Sequence, residues 1–329
     1  MGRGYEMSEI TRRYFKQMKI KSNLFAHWAL VVTLFFPFCV ATAETSKLSE
    51  STWVFSGDGY SVSAANKGRV TNIGYIETKQ SGVIVNTGIS HNHAEQIMRQ
   101  ISEISDKEKL DAIIVQGTQK FALGAFSLKK VGVKTYAHPR AIAQIAQRCS
   151  YCIQYLEETL GEVEMEHTKV DEPQDIALLD LSPSGPLRDI LLIDHGDTKS
   201  KGAIMIYHKP SKVLFSGDVV FSGVIPNIKD SNFAQWKKSL RLLRDLPISV
   251  IIPGVGPKLT KSAISDSLDY LDALDVTTKD LYRDNQDLLS AIKKATLTQF
   301  SDWELYDDHH PNNVMYRYLQ IEEGDLTIK

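Results

Sequence analysis

Two hairpin patterns set the terms for any fold this chain can adopt. In "GRVTNIGYIETKQSGVIVNTG" (68–88) two apolar runs meet at Gln80-Ser81-Gly82, and in "AIMIYHKPSKVLFSGD" (203–218) two more meet at Lys209-Pro210. Each is followed by a helical stripe: Ala94, Ile97, Met98, Ile101 and Ile104 after the first, Phe233, Trp236, Leu240 and Leu243 after the second. Further strands are expected in "TWVFSG", at Ala112 to Val115, and in "GVKTYAHP", "DILLIDHG" and "ISVIIPG". From Ser262 onward apolar residues recur at helical spacing (Ile264, Leu268, Leu271, Leu274, then Leu281, Leu288 and Ile292). No low-complexity linker or short repeat separates the two stretches. The pattern predicts one layered α/β domain with a helical C-terminal segment. The polar stretch 161–186 reads as a loop or hairpin insertion.

The N-terminus is a different kind of sequence. "MKIKSNLFAHWALVVTLFFPFCVATAE" (18–44) has two lysines, an apolar run and Ala41-Thr42-Ala43, the three parts of a secretory signal with a small-x-small cleavage site. Residues 1–43 are therefore expected to be a signal peptide. Met18 is a more natural start than Met1, because it puts the lysines directly before the apolar run. The alternative is an uncleaved anchor, since the run approaches spanning length. Residues 44–67 read as a leader with a first strand, and 68–329 as the main domain.

Charge narrows the partners. Residues 1–43 hold six of the 38 Lys and Arg and two of the 40 Asp and Glu, so the remainder carries a formal charge of −6. With no long basic run, nucleic acid is not an expected partner. A secreted or periplasmic location follows from the signal, with no membrane span once it is cleaved. Cys149 and Cys152 then remain, three apart on the apolar stripe of the helix in "RAIAQIAQRCSYCIQYLEETLG", where Gly161 supplies the stop. Either a local disulfide or a redox pair fits an oxidising compartment. Their place on the stripe favours structural cysteines, paired or not.

The order of these pieces resembles the metallo-β-lactamase fold superfamily. In detail it is most similar to the secreted branch of quinoprotein-relay zinc metallohydrolases, associated with sulfur-oxidation and methylotrophy systems. The likeness runs from Gly68 to the C-terminus. It rests on "NIGYIETKQSGVIVNTG" (with Asn86 where the family has Asp), "AHPR", "KVLFSGDVVFSGVIPNI", "FAQWKKSLRLLRDL", "VIIPGVGP" and "HHPNNVMYRYLQIE". The resemblance implies an αββα sandwich.

It also implies metal-ligand positions, most of which are substituted. The family's Thr-His-x-His-x-Asp-His-x-x-Gly, anchored on Gly124, falls on Val115, Gln116, Thr118, Lys120 and Phe121. Its Gly-His-Thr corresponds to Gly196-Asp197-Thr198, and its Pro-Gly-His-Gly to Pro253-Gly254-Val255-Gly256. Asp218, in "KVLFSGD", stands where the family has its bridging aspartate, and of all the implied ligand positions it is the one that keeps the family residue. Zinc needs imidazole, thiolate or carboxylate ligands, usually three or four, and gains its catalytic use by activating a bound water. No metal or other cofactor is expected here, and the inherited hydrolysis is expected to be lost. Lys120 would instead neutralise Asp218, with Asp197 nearby and with Phe121 and Val255 filling the remaining volume. The bland alternative is a solvated loop with Lys120 free in water.

A relocated metal site is the competing expectation. "ISHNHAEQ" holds His91 and His93 with Glu95 behind them, and His138 or His195 would complete a zinc site. The simpler reading is helix capping by Ser90 or Asn92, with exposed histidines. His167, His208, His309 and His310 are expected to be surface or local structural residues. The functional expectations are a non-catalytic binding or assembly partner in a periplasmic quinoprotein or sulfur-compound oxidation system, a metal-dependent hydrolase with unusual ligands, or a thiol-redox protein using Cys149 and Cys152. Neither a particular protein partner nor a small-molecule ligand is identified by the sequence.

Overall fold

The computed structural model describes residues 44–328. The signal peptide expected at 1–43 lies outside the described residues. Two sheets form the centre. The first has seven strands in chain order: β1 (Thr45–Ser49), β2 (Thr52–Phe55), β3 (Ile73–Glu77), β4 (Gly82–Val85), β5 (Leu110–Ile114), β6 (Lys134–Ala137) and β7 (Gln174–Asp175). β1 to β4 pair antiparallel, and β4 to β7 pair parallel. The second has four strands in the order β11-β10-β9-β8: β8 (Ile190–Ile193), β9 (Met205–His208), β10 (Val213–Gly217) and β11 (Val250–Pro253). The stretch 44–67, set apart in the sequence as a leader with one strand, contributes two strands to the first sheet, which begins at Thr45.

Alternation along each strand sorts the side chains into layers. Val83 and Val85 of β4 and Ile113 of β5 join Val213 and Phe215 of β10 and Ile252 of β11 in the middle layer between the sheets. Ile84 and Ala112, one position away, face outward and pack with Ala94, Ile97 and Ile101 of α1 (His91–Ile104) and Leu128 of α3 (Ala125–Lys130). On the other side, Leu214 and Ile251 pack with Trp236, Leu240, Leu271 and Leu274. These helical residues come from α6 (Phe233–Leu243) and α7 (Ala263–Arg283). The result is helix, sheet, sheet, helix. Gly74 sets the sheet separation locally, because a Cβ there would come 2.4 Å from the Phe215 ring.

α4 (Pro139–Leu160) starts on His138, whose side chain accepts from the Arg140 N–H, and stops at Gly161 with φ 88°. The 161–186 stretch folds as the short α5 (Glu162–Met165), β7 and a 3₁₀ turn, not as a hairpin. The C-terminal segment is helical: α8 (Leu288–Lys294) and α9 (Tyr306–Ile328) follow α7. Within α9, Asn313 donates to the Pro226 carbonyl (2.7 Å) and accepts from the Ile228 N–H (3.1 Å), so "HHPNN" clasps the loop after β10. Among the described residues no helix is long and apolar enough to cross a membrane.

Candidate functional site

The loops that follow β5, β10 and β11 meet at one end of the sandwich. They are tied by backbone bonds: Ile204 N–H to Val115 O (3.0 Å) joins the sheets, and Gly254 N–H to Gly217 O (2.7 Å) joins β10 to β11. Gln116, almost wholly buried, adds a side-chain tie. Its Oε1 accepts from the Asp218 N–H (2.9 Å) and its Nε2 donates to Ser200 Oγ (3.3 Å). Asn86 sits in the left-handed region at φ 70°, which asparagine tolerates, and its Oδ1 accepts from the Val115 N–H at 3.2 Å.

Lys120 lies on the single-turn α2 (Gln119–Ala122). Its ammonium is 2.9 Å from Oδ1 and 2.8 Å from Oδ2 of Asp218, and each side chain is about a fifth exposed. The same ammonium stands 4.9 Å from the centre of the fully buried Phe121 ring. Gly254 closes the other side of the carboxylate. A Cβ there would lie 2.2 Å from Asp218 Oδ1 and 2.8 Å from Phe121 Cζ, so only bare backbone fits.

The ion pair forms one wall of a cleft of about 120 Å³. Lys199, Tyr60, Asn227 and His309 supply other polar groups, and Val220, Val224, Val255 and Leu305 supply apolar ones. Lys199 has neither a hydrogen bond nor an ion pair among the described residues. Burial pushes its pKa down and Lys120 adds to this, while Asp218 and Asp230 oppose. Asp230 is itself held by Arg148 at 2.7 Å. His309 Nδ1 donates to the Ile225 carbonyl at 2.7 Å, which leaves Nε2 without that proton in the neutral ring. Thr118 and Thr198, each close in sequence to one of the two lysines, keep buried hydroxyls with no hydrogen-bond partner among the described residues.

These residues do not fit a zinc ion. Asp218 offers a carboxylate already held by an ammonium, Gln116 is committed to two bonds, and Phe121 and Val255 have no donor atoms. Asp197 is not beside Lys120 as expected: it pairs with Arg140 and accepts from the Gly202 N–H at 2.9 Å. Among the described residues no three His, Cys, Asp or Glu side chains are grouped to hold a metal, against the three or four ligands zinc requires.

The histidines of the relocated-site expectation have other partners. His91 Nδ1 is 2.9 Å from Ser127 Oγ. His93 is buried rather than exposed, accepts from the Ile89 N–H (3.4 Å), and has its pKa pushed down to about 3 by burial and then by Arg69. Ser90 caps the helix by accepting from the His93 N–H. His138 caps α4 and lies 3.3 Å from Asp194, and His195 bonds Ser239 Oγ at 2.7 Å. Of the histidines expected to be surface or local structural residues, His208 and His310 are buried and structural. His310 Nε2 donates to the Ala295 carbonyl, its Nδ1 accepts from Tyr270 OH, and that hydroxyl accepts from Asn313. Cys149 and Cys152 are free thiols in this structure, not a disulfide.

Sequence reasoning missed Lys199, Tyr60, Asn227 and His309. The available signal for Lys199 was its place directly after Gly196-Asp197-Thr198. Asn227 stands in the quoted "KVLFSGDVVFSGVIPNI", nine residues after Asp218, while Tyr60 had no signal, because it reaches the cleft from the loop between β2 and β3.

A family model described as the metallo-β-lactamase superfamily matches residues 123–255, beginning just after Phe121 and ending at Val255. A metallo-β-lactamase from Pontibacter korlensis has 18% identity and a TM-score of 0.55, covering 70% of this chain and 98% of its own. The metallo-β-lactamase FIM-1 from Pseudomonas aeruginosa, solved in a mono-zinc form, has 16% identity and a TM-score of 0.56, covering 70% and 94%. One from Hirschia baltica has 18% identity and a TM-score of 0.55, covering 69% and 96%. No curated protein matches the sequence. The fold is the metallo-β-lactamase fold.

Proposed function

We propose that this chain is a member of the metallo-β-lactamase superfamily in which metal-dependent hydrolysis has given way to a binding or assembly role. The observation that carries the reading is the grip of Lys120 on both oxygens of Asp218. An ammonium in that position supplies the positive charge that the carboxylate needs when partly removed from water. It also repels a dication, so the site's charge is satisfied without one. With no ion to lower the pKa of a water, the fold's hydrolytic chemistry has no nucleophile. The reading includes export through the segment 1–43 and work beside a protein partner in a periplasmic quinoprotein or sulfur-compound oxidation system. That setting rests on the likeness of "KVLFSGDVVFSGVIPNI" and "HHPNNVMYRYLQIE" to one secreted branch.

Elemental analysis of protein purified from zinc- and iron-supplemented medium tests it, with thioester and lactam hydrolysis measured against Asp218→Ala as the blank. The expected result is less than a tenth of an equivalent of metal and no turnover above the blank. Stoichiometric zinc or iron, or turnover lost in Asp218→Ala, would overturn the reading.

A further inference from the structure

We propose that the cleft binds a small monocarboxylate with a short apolar tail, the carboxylate on Lys199 and the tail against Val220, Val224 and Leu305. The inference rests on the metal-free reading above, because a dication beside Asp218 would itself be the anion's partner.

The charge count selects a monoanion. Asp218 is matched by Lys120 at 2.8 Å, which leaves Lys199 as the uncompensated charge among the cleft's lysine and acid side chains. A partly buried ammonium without a partner is costly, and an anion that enters with it removes that cost. The walls select the rest of the ligand. Apart from the Lys120–Asp218 pair, Tyr60, Asn227 and His309, the groups around Lys199 are mainly hydrocarbon and backbone. A sulfate or phosphate dianion would surrender its hydration for one unpaired cation and few donors. A carboxylate places two oxygens on the ammonium and hydrocarbon on hydrocarbon. Size agrees: about 120 Å³ is several times the ~10–15 Å³ that one water occupies, enough for a chain of a few carbons and too little for a large ring system.

The burial that depresses the Lys199 pKa has the same origin as its affinity for an anion, since a carboxylate would favour the charged form.

Calorimetric titration of the full mature chain with butyrate, butanol, sulfate and phosphate tests the assignment, on protein whose metal content has been measured. Butyrate is expected to saturate one site and to bind at least tenfold more tightly than the other three. Lys199→Met should weaken it tenfold or more, Lys199→Arg should keep it within a few-fold, and the exposed Lys79→Met should leave it unchanged. Melting curves of the Lys199 variants, matched to the parent, exclude unfolding as the cause. Absence of saturable butyrate binding, equal binding of butanol or inorganic anions, or unchanged affinity in Lys199→Met would each overturn the inference. Stoichiometric metal would overturn the metal-free reading and this assignment with it, whereas metal-free protein without Lys199-dependent butyrate binding would overturn this assignment alone.

Discussion

The ammonium of Lys120 reaches both carboxylate oxygens of Asp218, at 2.9 and 2.8 Å, across 98 residues of sequence. One contact therefore ties the turn after β5 to the end of β10. Because each partner is only about a fifth exposed, the pair stands between a surface salt bridge worth up to ~1 kcal/mol and a buried one whose breaking costs ~3–5 kcal/mol. Lys120→Met is expected to lower stability in urea unfolding by about 1–3 kcal/mol. Asp218→Asn should do the same, and the double variant should lose less than the two added together. Unchanged unfolding midpoints in both single variants would show that the contact contributes nothing.

Gly254 is where backbone has to stand against that carboxylate. In Gly254→Ala the new methyl would overlap Asp218 Oδ1 and press on Phe121, so a loss of about 1–3 kcal/mol is expected. Adding Asp218→Ala should recover part of this loss, because one of the two overlapping groups is gone. A cost of equal size in both backgrounds would place the strain elsewhere.

Asp275 binds the C-terminal helices together. It accepts from Lys237 (2.7 Å) and Lys279 (3.0 Å) on one oxygen and from Arg317 Nε (2.9 Å) on the other, which links α6, α7 and α9. Burial alone would raise its pKa, but hydrogen bonds from Lys237 and Lys279 and the charge and hydrogen bond of Arg317 bring it down to about 2. A depressed carboxyl stabilises the fold above its unfolded value near ~4, and that contribution disappears as pH falls from ~4 toward 2. Melting temperature should drop steeply over this window, and Asp275→Asn should be less stable at pH 6 with a shallower acid decline. Parallel profiles for the two proteins would refute the assignment.

His93 gives acid sensitivity in a higher window. Its folded pKa lies near 3, held down first by burial and then by Arg69, against ~6.5 when unfolded. The unfolded chain therefore binds the extra proton first, and stability should fall as pH drops from ~6.5 toward 3. NMR should find the His93 ring still neutral at pH 5. An imidazolium signal for His93 at that pH would contradict its burial.

The two cysteines should part company in alkylation. The neighbouring Cys149 lowers the Cys152 thiol despite burial, and Arg148 assists, while Cys152 and burial raise Cys149. Iodoacetamide at pH 7.5 is expected to label Cys152 first, with Cys149 protected until denaturant is added. Equal rates in the native protein would rule out this asymmetry.

How much of this was legible beforehand depends on the range of the interaction. Ser90 as a cap, Gly161 as a stop and the hairpin at Lys209-Pro210 were readable because capping and strand alternation are decided within a few neighbours. The strand at Thr45–Ser49 was hidden in a polar leader because an edge strand buries little and shows weak alternation. His93 looked like a surface residue because nothing nearby in sequence reports that a helix face is covered by another element.

The sequence by itself determined a layered α/β domain with a helical C-terminal segment, since apolar period is a local property of the chain; the αββα order of the layers was what the family resemblance implied. Only the tertiary structure decided that Asp197 turns to Arg140 while Lys120 grips Asp218, and that Lys199 faces the same cleft with no ion-pair partner among the described residues. Electrostatic pairing depends on separations of a few ångströms between groups far apart along the chain, and those separations exist only once both sheets have packed.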